Sequence, residues 1–289
     1  MTPFAGPPGY PVTTPFDGIG ELHAGDPVPG APVTVSALEF DVLWEHLGLG
    51  PMPLVVRVPS PGRTHQERAE LVDRAWAELE RRGLGGRRNG PDDRVATLLE
   101  VMARPEREVD GRIWLGRSVR ILAAATGGDA TLAVLDGDRL LLQEASPDGL
   151  PRAALEVLPP VAAGPGHSVT LPSQDLDAAA AACDGTPEGL TAELRRRGTR
   201  DDDARTLARM VRGARHHGQF GAAARDLWGR RHRPGWVVGF FDTPDGRYLQ
   251  LRRGQDGAPP WSTVSPADTR RLLAHVDELL GTAQQLAGR

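Results

Sequence analysis

Lysine is absent from this 289-residue sequence, in which all 34 side chains of the Lys and Arg type are arginine. This absence excludes the enzymes that need a lysine for catalysis or for phosphate binding, among them P-loop nucleotidases, Schiff-base enzymes and kinases. Exclusive use of arginine is also typical of a high-GC genome.

Cysteine occurs once, at Cys183, directly after the alanine run at 178–182. An intrachain disulfide is therefore impossible, and the run predicts a small buried helix face. Long apolar segments are missing too, since none approaches the roughly 20 residues that span a bilayer, and no apolar, positively charged leader opens the chain. We expect a cytoplasmic protein with no membrane insertion.

Strong net charge is a third absence, because the formal charge is only −4. The whole molecule therefore has no field that would attract nucleic acid. A local cluster of arginines near the C-terminal end could form a nucleic-acid stripe or could discourage pairing at a strand edge. Acidic residues mixed among them favour the second interpretation. The cluster consists of Arg225, Arg230, Arg231, Arg233, Arg252 and Arg253.

Catalytic and metal-binding motifs are missing as well. No G-x-S-x-G and no active-site cysteine pattern occurs, so we predict no catalytic residue and no enzyme. His216 and His217 would point to opposite faces of a strand, and no Cys-x-x-Cys or His-Glu-x-x-His accompanies them, so we predict no metal site and no cofactor. The three aspartates at 201–203 precede Leu207 in a way that favours the first turn of a helix over a cation site.

What the sequence does contain is a strongly patterned segment at 235–253, which reads GWVVGFFDTPDGRYLQLRR. Two apolar, aromatic-rich runs flank Pro244, Asp245 and Gly246. Proline fixes φ near −65° and glycine tolerates a positive φ, so this segment predicts a β-hairpin.

Hydrophobic periodicity and turn residues divide the preceding chain into a tail, helices and strands. Repeated Pro and Gly in residues 1–32 predict a disordered tail. Ser36 with Glu39 predicts a capping box and a first helix, followed by a strand at 54–58, a helix at 64–83, a loop at 85–91 and a helix around 95–102. Turn residues, including Gly111, divide 106–144 into four strands of an antiparallel meander. Ser146 then predicts the N-cap of a helix that ends at Leu158.

Three short motifs recur in the same order along the chain. We predict two similar halves, 33–160 and 161–289, each built as strand, helices, meander and helix within one combined α+β domain. Pairing the two meanders about a pseudo-twofold axis gives one continuous antiparallel sheet flanked by helices. The recurring pairs are 56–60 with 169–173, 136–141 with 245–249, and 146–148 with 265–268.

Apolar residues in the predicted strands do not alternate cleanly with polar ones. Such runs are usual where helices cover both faces of a sheet. If helices cover one face only, the other is a large apolar patch for a partner. The sequence is compatible with both arrangements.

Several short motifs occur together in an order and spacing that are specific as a set. They are Ser36 with Glu39 and Leu43-Trp44, residues 54–62, Arg82-Gly83-Leu84, residues 103–106, Leu158-Pro159-Pro160 with 164–166, residues 218–221 and residues 242–248. By these motifs, residues 33–289 resemble the EspG family of accessory proteins in type VII (ESX) secretion.

The resemblance implies a pseudo-twofold fold on a central antiparallel sheet, and no nucleotide or metal cofactor. It implies a cytosolic chaperone that binds the apolar helical tip of PE/PPE-type substrates, keeps them soluble and presents them for secretion. The expected partner is a PPE-like or WXG100-like helical protein, with weak self-association left open. Two alternatives are an interaction subunit of the secretion machinery and an unrecognised enzyme.

The same resemblance places the partner contact on the sheet, its meander loops and the last helix. The expected partner-binding residues are Gln219, Phe220, Arg247, Leu249 and Leu251. Tyr248, between two of them, is a candidate for the core instead.

Overall fold

The computed structural model describes residues 30–254 and 258–289. Nearly all of the predicted tail, residues 1–32, lies outside the described residues. Within the described residues the first strand begins at Val33, the position predicted for the start of the folded chain.

Between Val33 and residue 160, one strand is followed by helices, a meander of four strands and a further helix. In order, its elements are β1 (Val33–Ser36), α1 (Ala37–His46), α2 (His65–Arg81), β2 (Gly85–Gly86), β3 (Gly90–Pro91), α3 (Asp93–Ala103), β4 (Arg107–Trp114), β5 (Ser118–Thr126), β6 (Asp129–Asp136), β7 (Arg139–Glu144) and α4 (Leu150–Leu155).

The rest of the chain repeats this order. Its elements are β8 (Val169–Pro172), α5 (Ser173–Ala182), α6 (Pro187–Arg196), α7 (Asp201–Met210), β9 (His216–Arg225), β10 (Arg231–His232), β11 (Val238–Thr243), β12 (Gly246–Arg253), β13 (Trp261–Pro266) and α8 (Thr269–Ala287). Apart from the small β2–β3 hairpin and β10, each element has a counterpart. The predicted α+β fold of two similar halves is confirmed.

One antiparallel sheet joins the two meanders, as predicted. Its order is β1-β7-β6-β5-β4-β9-β11-β12-β13-β8, with β10 pairing with part of β9. The pair β4 and β9 lies at the centre, where Gly111 is opposite Phe220. A Cβ atom on Gly111 would lie 3.1 Å from the Phe220 ring. The prediction of a turn at Gly111 was therefore wrong, because this glycine makes room for an aromatic ring within the sheet.

Helices cover both faces of the sheet, which decides between the two arrangements that the sequence left open. Helices α4 and α8 pack on one face, in a core that includes Phe220 and Leu249. On the other face, α1, α2 and α3 cover the strands of the first meander around Leu122. Helices α5, α6 and α7 cover those of the second around Phe241 and Tyr248. The middle of this second face lies between the two helix groups.

Residues close together in the sequence determine where several helices begin. At α1 the backbone N–H of Glu39 donates to Ser36 Oγ (3.2 Å) and the N–H of Ser36 donates to Glu39 Oε2 (2.6 Å). Thr64 and Glu67 form the same capping box at α2. The aspartates at 201–203 lie in the first turn of α7, as predicted. These boxes satisfy backbone donors that a helix start leaves free.

The predicted strand at 54–58 was wrong. These residues have irregular backbone, with Val56 fully buried and Leu54 74% exposed. Pro51, Pro53 and Pro59 bring no N–H donor, so this stretch is poorly suited to a sheet ladder. The counterpart of β8 is instead β1, because each is an edge strand that runs directly into a helix.

One further repeat assignment and one helix prediction were wrong. The turn at 136–137 joins the last two strands of its meander, whereas Pro244-Asp245 joins β11 and β12, so the two are not equivalent. Ser146 makes no side-chain cap, and the helix after it ends at Leu155 rather than at Leu158. Asp268 caps α8 through the N–H of Arg271 (2.8 Å).

The alanine run before Cys183 is less buried than predicted. Ala179 is fully buried against the α5–α7 core, while residues 180–182 are exposed. Cys183 is half-buried and its thiol donates to Ala180 O (3.4 Å).

Candidate functional site

A groove of about 530 Å³ occupies the uncovered middle of the sheet, between the two helix groups. Its floor comes from β4, β5 and β9. One wall is the irregular segment 51–55 with the end of α3, and the other is the chain between Arg225 and Val237. The groove therefore lies across the junction of the two meanders.

Strand alternation explains the charge on this floor. Val109 and Ile113 face the core beneath helices α4 and α8, so Glu108 and Asp110, on either side of Val109, face the groove. Arg231 Nε donates to Glu108 Oε1 (2.8 Å). The charges on this part of the floor are thus neutralised in pairs.

A second arginine crosses β9 to reach β4. Arg233 Nη2 donates to Asp110 Oδ2 (2.8 Å), passing over Gly221. A Cβ atom on Gly221 would lie 1.8 Å from that nitrogen. The glycine therefore keeps open the path of the ion pair.

Further along the floor lie two arginines that form no ion pair with any of the described carboxylates. Arg112 and Arg120 are directly opposite each other on β4 and β5. Burial and the charge of Arg112 lower the pKa of Arg120, whose Nη1 donates to Arg57 O (3.0 Å). Gln219 is opposite Arg112 on β9. This end of the floor suits an acidic or acceptor-rich partner.

Large apolar side chains are exposed beside this charged floor. Leu54 on the first wall is 74% exposed, and Trp114 at the end of β4 is 45% exposed. The turn between β9 and β10 carries Leu227 and Trp228, which are 99% and 85% exposed. Such side chains on a folded surface are typical of protein contacts.

Among the five expected partner-binding residues, only Gln219 is exposed, on the groove floor. Phe220 is its neighbour in sequence and so points to the opposite face, where its ring stacks on Phe240 at 6.0 Å between centroids. Leu249 and Leu251 lie in the same core, beneath helices α4 and α8. All five residues were expected at one partner surface, whereas the structure buries four of them.

Arg247 is fully buried and clamps three segments together. Its Nε and Nη2 donate to the two carboxylate oxygens of Asp242 (2.6 and 2.9 Å), directly opposite on β11. Nη2 also donates to Pro159 O (2.9 Å) and Nη1 to Thr269 Oγ1 (3.3 Å). The guanidinium lies 5.3 Å from the centre of the Phe240 ring. Arg247 therefore ties the hairpin to the chain after α4 and to the start of α8.

Tyr248 belongs to the core, as the sequence analysis allowed. It is 1% exposed and its hydroxyl donates to Pro165 O (3.1 Å). A Cβ atom on Gly164 would lie 2.2 Å from this side chain, so the glycine is needed for the ring to reach its place.

Four of the six clustered arginines (Arg231, Arg233, Arg252 and Arg253) pair with carboxylates, and the strand-edge interpretation was wrong for Arg252 and Arg253. Arg252 on β12 pairs with Asp177, and β12 is an interior strand. Arg253 donates to both oxygens of Glu278 (2.9 and 2.7 Å) and stacks on Trp236 at 4.1 Å. Carboxylates thus interrupt any continuous basic stripe.

The histidine pair is divided as strand geometry requires. His216 Nδ1 is 3.7 Å from Asp242 Oδ2, while His217 is exposed opposite Trp114. Across residues 30–254 and 258–289 no group of three or more His, Cys, Asp or Glu side chains is placed to hold a metal ion. Nor is any helix there long and apolar enough to cross a membrane.

Sequence reasoning missed the exposed turn between β9 and β10. Its signal was available, since Asp226-Leu227-Trp228-Gly229 has Asp at the first and Gly at the fourth position, as a type I β-turn prefers. Exposure of Leu227 and Trp228 could not be read from that pattern.

Comparisons with known proteins agree with the architecture. A family model described as the EspG family matches residues 36–278. The ESX-1 secretion-associated protein EspG1 of Mycobacterium marinum is 26% identical over 270 residues, covering 90% of this chain and 91% of that protein. EspG1 of Mycobacterium tuberculosis is 25% identical over 270 residues, covering 90% of each.

A solved structure has a similar fold. It is the Mycobacterium tuberculosis type VII secretion system chaperone EspG5 in complex with the PE25-PPE41 dimer, which matches with a TM-score of 0.68 and 16% identity. The match covers 86% of this chain and 96% of that one. With the family match over most of its length, this chain belongs to the EspG family.

Proposed function

We propose that this protein is a cytoplasmic chaperone of type VII (ESX) secretion that binds the apolar helical tip of a PPE-like or WXG100-like client. The observation that carries the proposal is the groove at the sheet centre, flanked by exposed apolar side chains. Membership of the EspG family and the fold shared with a chaperone that binds a PE–PPE dimer support it.

The groove suits a helical tip in both shape and chemistry. Leu54 offers apolar surface at one wall. Gln219, Arg112 and Arg120 offer donors for the acceptor groups that a helix end and its loop leave free. A stable protein interface hides roughly 800 Å² on each partner, so the walls and the exposed turn would take part as well as the floor.

Chaperone action follows from mass action. A client whose apolar tip is covered cannot use that surface to self-associate, and binding stabilises the client in its unaggregated form by an amount set by its affinity. The bound client is then available to the secretion machinery.

Within this proposal the five expected residues have two roles. Gln219 contacts the client directly. Phe220, Arg247, Leu249 and Leu251 support the binding surface from the core. We propose further that 33–160 and 161–289 act as one combined domain, because the groove floor contains strands from both.

The proposed role is binding, without catalysis. Both carboxylates on the groove floor, Glu108 and Asp110, accept hydrogen bonds from arginines, which occupies the groups that could otherwise act as a general base. The alternative of an interaction subunit of the secretion machinery would use the same groove for a fixed component of the complex.

The test is a purified binding assay with a Leu54→Asp variant. Because Leu54 is 74% exposed, the variant should fold normally and lose at least about tenfold in client affinity. Trp261→Ala is the matched control, since this 52% exposed side chain lies on β13, three strands from β9. Equal binding by both variants and the wild type would refute the groove as the client site.

A further inference from the structure

The turn between β9 and β10, residues 226–230, is held by a dense set of hydrogen bonds. Asp226 Oδ1 accepts from the backbone N–H groups of Trp228 (3.0 Å) and Arg230 (2.8 Å). The N–H of Asp226 donates to Arg230 O (3.0 Å), and that of Gly229 donates to Asp226 O (2.9 Å). Gly229 has a φ of 79°, which favours glycine.

Two neighbouring side chains brace the turn from outside. Arg225 Nη1 donates to Gly229 O (2.8 Å), and its Nε donates to Pro105 O (3.0 Å), which ties the turn to the start of β4. His232 Nε2 is 2.8 Å from Asp226 Oδ2. The turn is therefore preorganised, and binding through it would cost little conformational entropy.

This braced turn presents two large apolar side chains to solvent. Leu227 is 99% exposed and Trp228 is 85% exposed, so neither contributes to the core. Turns usually carry small or polar residues at their tips. Tryptophan is among the residues that most often dominate the energy of a protein interface. A rigid turn with an exposed Leu-Trp tip is suited to insertion into an apolar pocket of another molecule.

The position of the tip connects it to the groove. Arg225 and Arg231, which bracket the turn, both line the groove. A molecule lying along the floor towards the start of β4 would therefore meet the Leu-Trp tip. Arg230 at the tip is exposed, which adds positive charge beside the two apolar side chains.

We propose that Leu227 and Trp228 are an anchor of the client interface, inserted between the ends of client helices while Arg230 lies against a helix C-terminus. This inference rests on the proposed chaperone function and adds to it a second contact outside the groove. A helix C-terminus carries partial negative charge and free carbonyl groups, so it complements arginine. Apolar side chains between adjacent helix ends complement leucine and tryptophan.

Two other occupants fit the turn less well. A lipid surface is bound by longer apolar faces with several basic residues, whereas this tip has two apolar side chains on a chain with a net charge of −4. If the tip bound a second copy of this chain, that copy would have to offer an apolar pocket beside its own groove. The direct continuity of tip and groove in one molecule favours a single client that contacts both.

The test uses the full chain and a PPE-like client purified as its helical heterodimer. Trp228→Ala should lower client affinity about 30-fold by calorimetry, the change that corresponds to about 2 kcal/mol at an interface anchor. Leu227→Ser should act in the same direction. Because both side chains are exposed, the melting temperature should stay within about 2 °C of the wild type. Trp261→Ala is the control for removing an exposed tryptophan elsewhere.

The outcomes separate the tip from the groove. Loss of affinity in both tip variants, with the control unchanged, supports the anchor. Unchanged affinity in the tip variants, while Leu54→Asp abolishes binding, overturns the anchor and leaves the chaperone function standing. A wild-type chain that binds no helical client overturns both. If the tip variants only convert a dimer to a monomer in sedimentation, the tip binds a second copy of this chain. If they only lose binding to anionic vesicles, the tip binds lipid. Either result overturns the anchor.

Discussion

Arg247 and Asp242 face each other across the β11–β12 hairpin and form a two-point ion pair that is almost completely buried, with side-chain exposures of 0% and 6%. The arginine was expected at the partner surface, yet it holds the hairpin to the chain after α4 and to the start of α8. A buried ion pair of this kind makes its two members interdependent, because either one alone would be an unpaired charge in the core.

Replacing Arg247 with alanine should destabilise the protein by about 3–5 kcal/mol, since it leaves the Asp242 carboxylate buried without its partner. Arg252→Ala is the matched control, because this arginine lies on the same strand and its pair with Asp177 is exposed. We expect that control to change stability by about 1 kcal/mol or less. Urea unfolding measures both, and similar small effects would contradict the structural role of Arg247.

The same pair predicts an acid-sensitive fold. Burial alone would raise the pKa of Asp242, but the hydrogen bonds from Arg247 and the nearby His216 outweigh burial and hold that pKa below its usual range. A carboxyl group whose pKa is lower in the folded state stabilises the fold above the unfolded pKa of about 4, and that stabilisation is lost as the pH falls further.

Unfolding free energies between pH 7 and pH 3 test this. Wild-type stability should fall more steeply below about pH 4 than that of Asp242→Asn, because the variant has no carboxylate to protonate at this position. Parallel pH profiles would show that Asp242 makes no net contribution to acid sensitivity.

Gly246 closes the same hairpin in a conformation that only glycine adopts easily, with a φ of 137°. A Cβ atom there would lie 2.5 Å from the backbone nitrogen of Gly164. Gly246→Val should therefore cost about 2 kcal/mol or more, from strain and from the clash together. At Gly137 φ is 61°, but apart from its chain neighbours no other atom lies within 4 Å of where a Cβ would be. Gly137→Val should therefore destabilise the protein by only about 1 kcal/mol. Equal melting temperatures for the two variants would contradict this assignment.

Leu249 tests the boundary between core and surface. It is 1% exposed in the core beneath helices α4 and α8. Leu249→Asp should therefore lower the free energy of unfolding by about 4 kcal/mol or more and leave little folded protein. The same substitution at the exposed Leu54 should leave the fold intact. If Leu249→Asp folds normally and loses only client binding, Leu249 lies at the surface and the structure is wrong at this position.

The parts of the fold that the sequence predicted correctly depend on local chemistry. Ser36 and Glu39, the aspartates at 201–203 and the Pro244–Gly246 turn act through neighbours in the chain, so their patterns were sufficient. The segment 54–58 failed because a short apolar run is compatible with a strand or with an irregular buried segment. Only the tertiary structure shows that β1 takes the edge position.

The candidate site was harder to predict, because exposure is a property of the assembled sheet. Gln219 and Phe220 were both expected at the partner surface, but alternation along β9 puts them on opposite faces of the sheet. Which face stays open depends on where α1–α3 and α5–α7 pack. The turn with Trp228 was missed although its residues carry a turn signal, and its freedom from core contacts could not be inferred from that signal.

The central claim is tested most directly by recovering the client. The tagged full chain is purified from its native host at low salt, and the proteins bound to it are identified by mass spectrometry. We expect a helical PPE-like or WXG100-like protein that is bound to the wild type and absent from the Leu54→Asp sample. Recovery of the protein alone, or of a partner that binds Leu54→Asp equally well, would contradict a chaperone that holds its client in the central groove.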